Sequence, residues 1–194
     1  MDEIVRCAMA HWPNVPAVCG WLRLDRRGNW LLRLAEGEPA QFDRITNRAL
    51  IEFIGRNYAC DDRGRYYFQN GPQRAYATLD YTPWVVRVGD RDASLVTQTD
   101  ELVSAWSEAF LDEEGALVLA TNLGAALVLD RDLDRIVGTL ADGSGKAMDA
   151  EAFFANVTAG REESASLHGR VTRFASIRTT EVPARLAFVR QPAL

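Results

Sequence analysis

The chain has 194 residues, 47% of them hydrophobic and 25% charged, with a net charge of −5; it is too apolar for a disordered chain and long enough for one domain or two small subdomains. Its 14 Gly and 7 Pro follow no period, which excludes collagen-like and low-complexity chains, and no run reaches the roughly 18 apolar residues of a membrane span. The chain is Arg-rich, with Lys146 its single lysine, yet residues 93–160 carry twelve acids against three bases, which argues against general phosphate-backbone binding.

In chain order, Asp2 and Glu3 precede Arg6 and no long apolar run follows, so a cytoplasmic location is expected. Cys7, Cys19 and Cys60 form no C-x-x-C pair and read as reduced thiols. The stretch 11–16, with Pro13 and Pro16, cannot form regular helix, and Trp12 within it anchors this arm onto its own domain or onto a second copy.

An Asp-x-x-Gly turn then recurs at 25–28, 61–64 and 112–115, flanked by short runs rich in aromatic and branched residues. The second and third copies continue alike, turning again near 70–72 and 122–124 and ending at Asp80 and Asp130, which suggests a duplicated hairpin unit. Asn47 is placed to cap a helix over 47–58 whose Leu50, Ile51, Phe53, Ile54 and Tyr58 share a face. Trp84 begins a strand through Val85, Val86 and Val88, and a polar loop at 89–93 divides an N-terminal β-rich subdomain, 1–92, from a C-terminal one, 93–194. In the second, Asp130 or Asp132 caps a helix over 130–141, carrying Leu133, Ile136, Val137 and Leu140 on one face. After a loose loop at 142–145 come a shorter helix over 149–157 and final strands near 170–177 and 185–189. The pattern predicts an α+β, β-dominated, hairpin-rich fold of two small antiparallel sheets, each packed by a helix.

Patterns that resemble catalytic or metal sites fail on spacing. Gly145-Lys146 lacks both the earlier glycine and the following Ser or Thr of a P-loop. Asp130, Asp132 and Asp134 imitate a calcium loop, but Arg135 stands where its glycine belongs and Ala141 where its glutamate belongs; these acids suit a helix N-terminus instead. Asn156-Val-Thr158 is ignored as a glycosylation acceptor in a cytoplasmic chain. Cys7, His11, Cys19 and Cys60 do not have the spacing of a zinc knuckle, and Asp61 and Asp62 beside Cys60 disfavour a reactive thiolate. No metal and no cofactor are expected.

What remains is a mixture of planar multi-donor and aromatic side chains between residues 51 and 76. Arg56, Asn57, Gln69, Asn70, Gln73 and Arg74, with Trp12, Tyr67 or Tyr76 as aromatic walls, form a candidate ligand face of the kind that recognises carboxylates, phosphates, peptides or bases. The structural alternative has Asn57 capping the helix, Asn70-Gly71 making the turn, and Gln73 and Arg74 on a solvated strand face with Arg74 in a salt bridge.

The segments Trp12-Pro-Asn-Val-Pro-Ala17, Gly20-Trp-Leu-Arg-Leu-Asp-Arg-Arg-Gly28 with Trp30, the stretch 51–58 (IEFIGRNY), Tyr67-Phe-Gln-Asn-Gly-Pro-Gln-Arg74 and 183–190 resemble an uncharacterised proteobacterial family, classed as a domain of unknown function. The resemblance implies a stand-alone bacterial cytoplasmic protein and carries no activity, cofactor or catalytic residue. A looser likeness to a second uncharacterised bacterial family, with a comparable order of strand, helix and Asp-Asp-x-Gly hairpin, implies only the α+β fold.

The function expected is a non-enzymatic ligand-binding or regulatory module that takes a small molecule or protein partner, and neither nucleic acid nor membrane. Two alternatives stand beside it. One is a homo-oligomeric protein–protein interaction protein, dimeric through the Trp12 arm and exposed strand edges. The other is a small hydrolase or transferase using scattered carboxylates.

Overall fold

One local turn shapes both sheets. In the computed structural model, which describes residues 1–89 and 94–194, Oδ1 of Asp25, Asp61 and Asp112 each accepts backbone N–H bonds from the residues two and four further on, at 2.8–3.0 Å. Each turn closes on a glycine with φ between 73° and 81°, the left-handed region that L side chains avoid. A fourth copy spans 142–145, where Asp142 accepts from Ser144 and Lys146 and Gly145 has φ 85°. The stretch expected as a loose loop is thus the same fixed turn.

The described chain divides into two units. The first holds residues 1–83, 98–100 and 187–194, the second residues 84–97 and 101–186. The expected dividing loop at 89–93 falls, from 90 to 93, outside the described residues.

The first unit comprises α1 (Glu3–His11), β1 (Val18–Leu24), β2 (Trp30–Arg33), β3 (Phe42–Arg44), α2 (Arg48–Arg56), β4 (Tyr58–Cys60), β5 (Tyr66–Asn70) and β6 (Gln73–Leu79). Its sheet runs β3-β2-β1-β6-β5-β4. Asn47 caps α2 as its sequence predicts, accepting from Leu50 N at 3.1 Å. The helix stops at Asn57, earlier than expected, and Tyr58 starts a strand. Ile54 is buried, and Phe53 packs edge-on against Phe68 at 5.4 Å, so α2 covers the face that Leu22, Leu24 and Trp30 also fill.

The second unit comprises β7 (Trp84–Val88), β8 (Leu95–Thr97), β9 (Trp106–Asp112), β10 (Leu117–Thr121), β11 (Gly124–Val128), α3 (Asp130–Val137), α4 (Ala150–Thr158), β12 (Glu163–Leu167), β13 (Arg170–Ile177) and α5 (Val182–Arg185). Its sheet runs β12-β13-β9-β10-β11-β7-β8. Asp149 caps α4 by accepting from Glu151 N and Ala152 N, and Phe153 meets Phe174 of β13 edge-on at 5.0 Å. α3 ends at Val137 rather than 141, because Gly138 follows and the Thr139 hydroxyl takes the Ile136 carbonyl at 2.6 Å.

The fold is α+β and β-dominated, but its sheets are mixed rather than purely antiparallel. β6 returns to pair parallel with β1, β11 pairs parallel with β7, and β13 pairs parallel with β9. Over five strands the two units share one winding: the order β2-β1-β6-β5-β4 in the first corresponds to β8-β7-β11-β10-β9 in the second. The strand expected at 185–189 is absent. Pro183 sits in the first turn of the short α5, Ala187 adopts φ 55°, and Val189 alone bridges, to Arg65.

Candidate functional site

Strand alternation sorts the candidate residues. Tyr67 pairs with Tyr76 and Gln69 with Arg74 across β5 and β6, so these four share one face. Asn70 pairs with Gln73 on the opposite face, at the mouth of an apolar cleft of about 360 Å³ lined by Trp21, Leu50, Ile54 and Phe68 among others. The expected hairpin residues Gln69, Asn70, Gln73 and Arg74 are therefore split between opposite faces of the sheet.

On the Arg74 face, the last turn of α1 and the arm that follows it build the second wall. Met9, Trp12, Pro13 and Val15 face Gln69, Pro72, Arg74 and Tyr76 across a cleft of about 350 Å³. Arg74 is the only charged side chain among the described residues lining it. Its guanidinium lies 3.9 Å from the centre of the Tyr67 ring, and its Nη1 donates a long 3.4 Å bond to the Tyr76 hydroxyl. Partial burial works against its charge, but the Tyr76 bond and the tyrosine and Asp61 dipoles and charges hold its pKa above the usual arginine value. Among the described residues no carboxylate forms an ion pair with it, contrary to the salt bridge of the structural alternative.

Its neighbour Arg65 is fully engaged. It donates to Asp61 at 2.9 Å, to the Tyr76 hydroxyl at 2.8 Å and to the Ala193 carbonyl at 3.0 Å, while Tyr76 donates to Asp61 at 3.0 Å. Burial pushes the Asp61 carboxyl up, but bonds from the Arg65 backbone and side chain, Tyr76 and the Arg63 backbone outweigh it and hold the pKa at about 2. Asp61 and Arg65 cancel in charge, so the network carries the one positive charge of Arg74. Sequence reading missed this pair as site residues. Asp61 reads as a turn residue, and its only further signal is the arginine four positions on.

Gln69 is 2% exposed and gives its amide nitrogen to the Gly71 carbonyl at 3.0 Å, while its Oε1 is buried without a donor among the described residues. An orphaned buried acceptor costs on the order of 1–3 kcal/mol, and a donor brought to it recovers part of that.

Arg56 and Asn57 lie apart from the cleft and fasten α1 to α2. Arg56 pairs with Asp2 at 3.2 Å; the Asn57 Oδ1 accepts from Asp2 N at 2.8 Å and its Nδ2 donates to the Phe53 carbonyl at 2.9 Å. Asn57 is 1% exposed and satisfied within the fold. Gln73 makes one long bond, 3.4 Å, to the Pro16 carbonyl.

The cysteines are scattered: Cys7 on α1, Cys19 on β1, Cys60 on β4. Burial first and the Asp61 charge second push the Cys60 thiol up, away from thiolate chemistry. Among the described residues, no group of three or more His, Cys, Asp and Glu side chains is placed to hold a metal ion. In the second unit a cleft of about 430 Å³ contains Glu108, which ion-pairs with both Arg173 and Arg185. The Arg173 bond chiefly holds its carboxyl below the usual range, and its two cations are already occupied.

A family model described as a protein of unknown function (DUF2946) matches residues 1–193, and the chain belongs to that family. A crystal structure of a DUF1285 family protein from Silicibacter pomeroyi DSS-3 is similar at 16% identity and a TM-score of 0.48, over 91% of this chain and 97% of that one. None of the curated proteins matches the chain. Among the described residues no helix is long and apolar enough to cross a membrane.

Proposed function

We propose that the protein is a non-enzymatic, cytoplasmic binding module whose Arg74 cleft captures a small anion. The observation that carries this reading is Arg74 itself, a half-buried guanidinium stacked on Tyr67 with no carboxylate partner among the described residues. A cation held in place by aromatic stacking pays little entropy when it receives an anion. Among the described residues the cleft lining sets no carboxylate, imidazole or thiol beside Arg74, which supports capture over chemistry. Tyr76, whose hydroxyl is taken up by Asp61, Arg65 and Arg74, positions the guanidinium, and Trp12 and Pro13 form the apolar wall.

Native mass spectrometry of the protein purified from a bacterial host tests this. The expected result is a retained small acid on the wild type that is missing from Arg74→Gln, whose melting temperature falls by less than about 4 °C because only a stacking contact of roughly 1 kcal/mol is lost. Bare masses for both proteins, or an adduct that survives the substitution, contradict it. The same spectrum tests the homodimer reading, which rests on Trp12 being 55% exposed: a dimer that becomes monomeric in Trp12→Ser shifts the weight to it.

A further inference from the structure

We propose that the ligand of the Arg74 cleft is a monocarboxylate with a flat apolar body, an aryl or arylalkyl carboxylate; this rests on the anion-capture reading above. Charge selects first. Among the described residues Arg74 is the one charged side chain lining the cleft, and the neighbouring Arg65 is neutralised by Asp61. One negative charge is matched, whereas a phosphate monoester carries roughly −1.5 to −2 near neutral pH and leaves the excess in a half-buried place.

Shape at the cation selects next. Nη1 leans toward Tyr76 at 3.4 Å, and Nε and Nη2 have no partner among the described residues. That edge is a planar two-donor fork, and its complement is a planar two-acceptor group, a carboxylate. The guanidinium is kept in its plane by the Tyr67 ring 3.9 Å below it.

The rest of the wall selects the apolar body. Trp12, 55% exposed and set edge-on to His11 at 4.4 Å, stands with Pro13 and Pro72 as flat apolar surface around the cleft. A volume of about 350 Å³ lies at the small end of ligand pockets, roughly 300–1,000 Å³, which suits a body of one or two rings. The buried Gln69 Oε1, lacking a donor, favours a body that carries a hydroxyl or amine.

Isothermal titration of the full chain with benzoate, 4-hydroxybenzoate, benzamide and phenyl phosphate tests the class. The two carboxylates are expected to bind at least about tenfold more tightly than benzamide or phenyl phosphate, with 4-hydroxybenzoate the tighter of the two. Arg74→Lys keeps the charge and loses the fork, so it weakens benzoate about tenfold and phenyl phosphate less. If phenyl phosphate binds more tightly than benzoate, the monocarboxylate class is overturned while anion capture by Arg74 stands. Equal binding of benzamide and benzoate overturns both. If no carboxylate binds although the native mass spectrum shows an Arg74-dependent adduct, the class falls and the anion site survives.

Discussion

Gly64→Ala is expected to destabilise the first unit by roughly 2–5 kcal/mol, about twice the effect of the matched change Gly115→Ala. Both glycines close an Asp-x-x-Gly turn, with φ of 73° and 81°, so each pays about 1–2 kcal/mol for placing an alanine in the left-handed region. They differ in what stands beside them. A Cβ on Gly64 would lie 2.5 Å from the Ala187 carbonyl oxygen and 3.1 Å from the Phe188 Cα, whereas one on Gly115 meets nothing within 4 Å. The first clash is with backbone, which cannot rotate away, and overpacking of this kind adds roughly 1–3 kcal/mol. The segment pressed there is the chain end: Val189 N donates to the Gly64 carbonyl at 2.9 Å, and Leu79 N to the Arg190 carbonyl at 2.8 Å. Urea denaturation of the two variants makes the comparison. Equal losses would mean that residues 187–194 do not pack against the turn.

Asp61→Asn carries the second large effect, about 2–4 kcal/mol at neutral pH, because it leaves Arg65 partly buried without its countercharge and takes an acceptor from Tyr76. The loss has a pH signature. The Asp61 carboxyl titrates at about 2 in the folded protein against 3.8 ordinarily, so its ionised form favours the fold. That contribution, about 2 kcal/mol, is fully present above pH 4–5 and is lost as pH falls from about 4 through 2. Stability curves of wild type and variant between pH 2 and 6 should therefore be about 2 kcal/mol further apart at pH 6 than at pH 2. Parallel curves would show that Asp61 is not the ionised centre of this network. Because Glu108 and Asp142 are also held below their usual range, both proteins lose stability in acid, and it is the difference between them that reports Asp61.

How much was legible depended on how local the cause was. The turns at 25–28, 61–64 and 112–115 could be read because an Asp side chain and a left-handed Gly act within five residues. The copy at 142–145 escaped because its flanks form isolated bridges, Ala141 to Ala147 and to Ser166, rather than strands, so no strand pattern announced it. Helix α2 was legible from its cap and apolar face. Helix α1 was not, because only Val5 is buried along it and its anchor, Asp2 on Asn57, is 55 residues away in sequence. Parallel closure of β6 on β1 was also hidden, since a period of two names the buried face and says nothing of a partner's direction.

The site follows the same rule. Its residue types drew attention to Arg74, Gln69, Tyr67, Tyr76 and Trp12, and these five do come together. The alternation of β5 and β6 already separates Gln69 and Arg74 from Asn70 and Gln73. The wall made by Met9 and Pro13 and the engagement of Asn57 within the fold depend on contacts between distant segments, whereas Asp61 and Arg65 stand four residues apart and were read only as a turn.

The most direct test of that uncompensated cation is a proton–nitrogen correlation spectrum of protein labelled at the arginine side chains, followed while benzoate is added. The Arg74 Nε–H resonance, assigned by its loss in Arg74→Gln, should move downfield and saturate, while that of Arg65, already bonded to Asp61, stays in place. Benzoate-dependent shifts at other arginines with Arg74 unmoved would contradict the account.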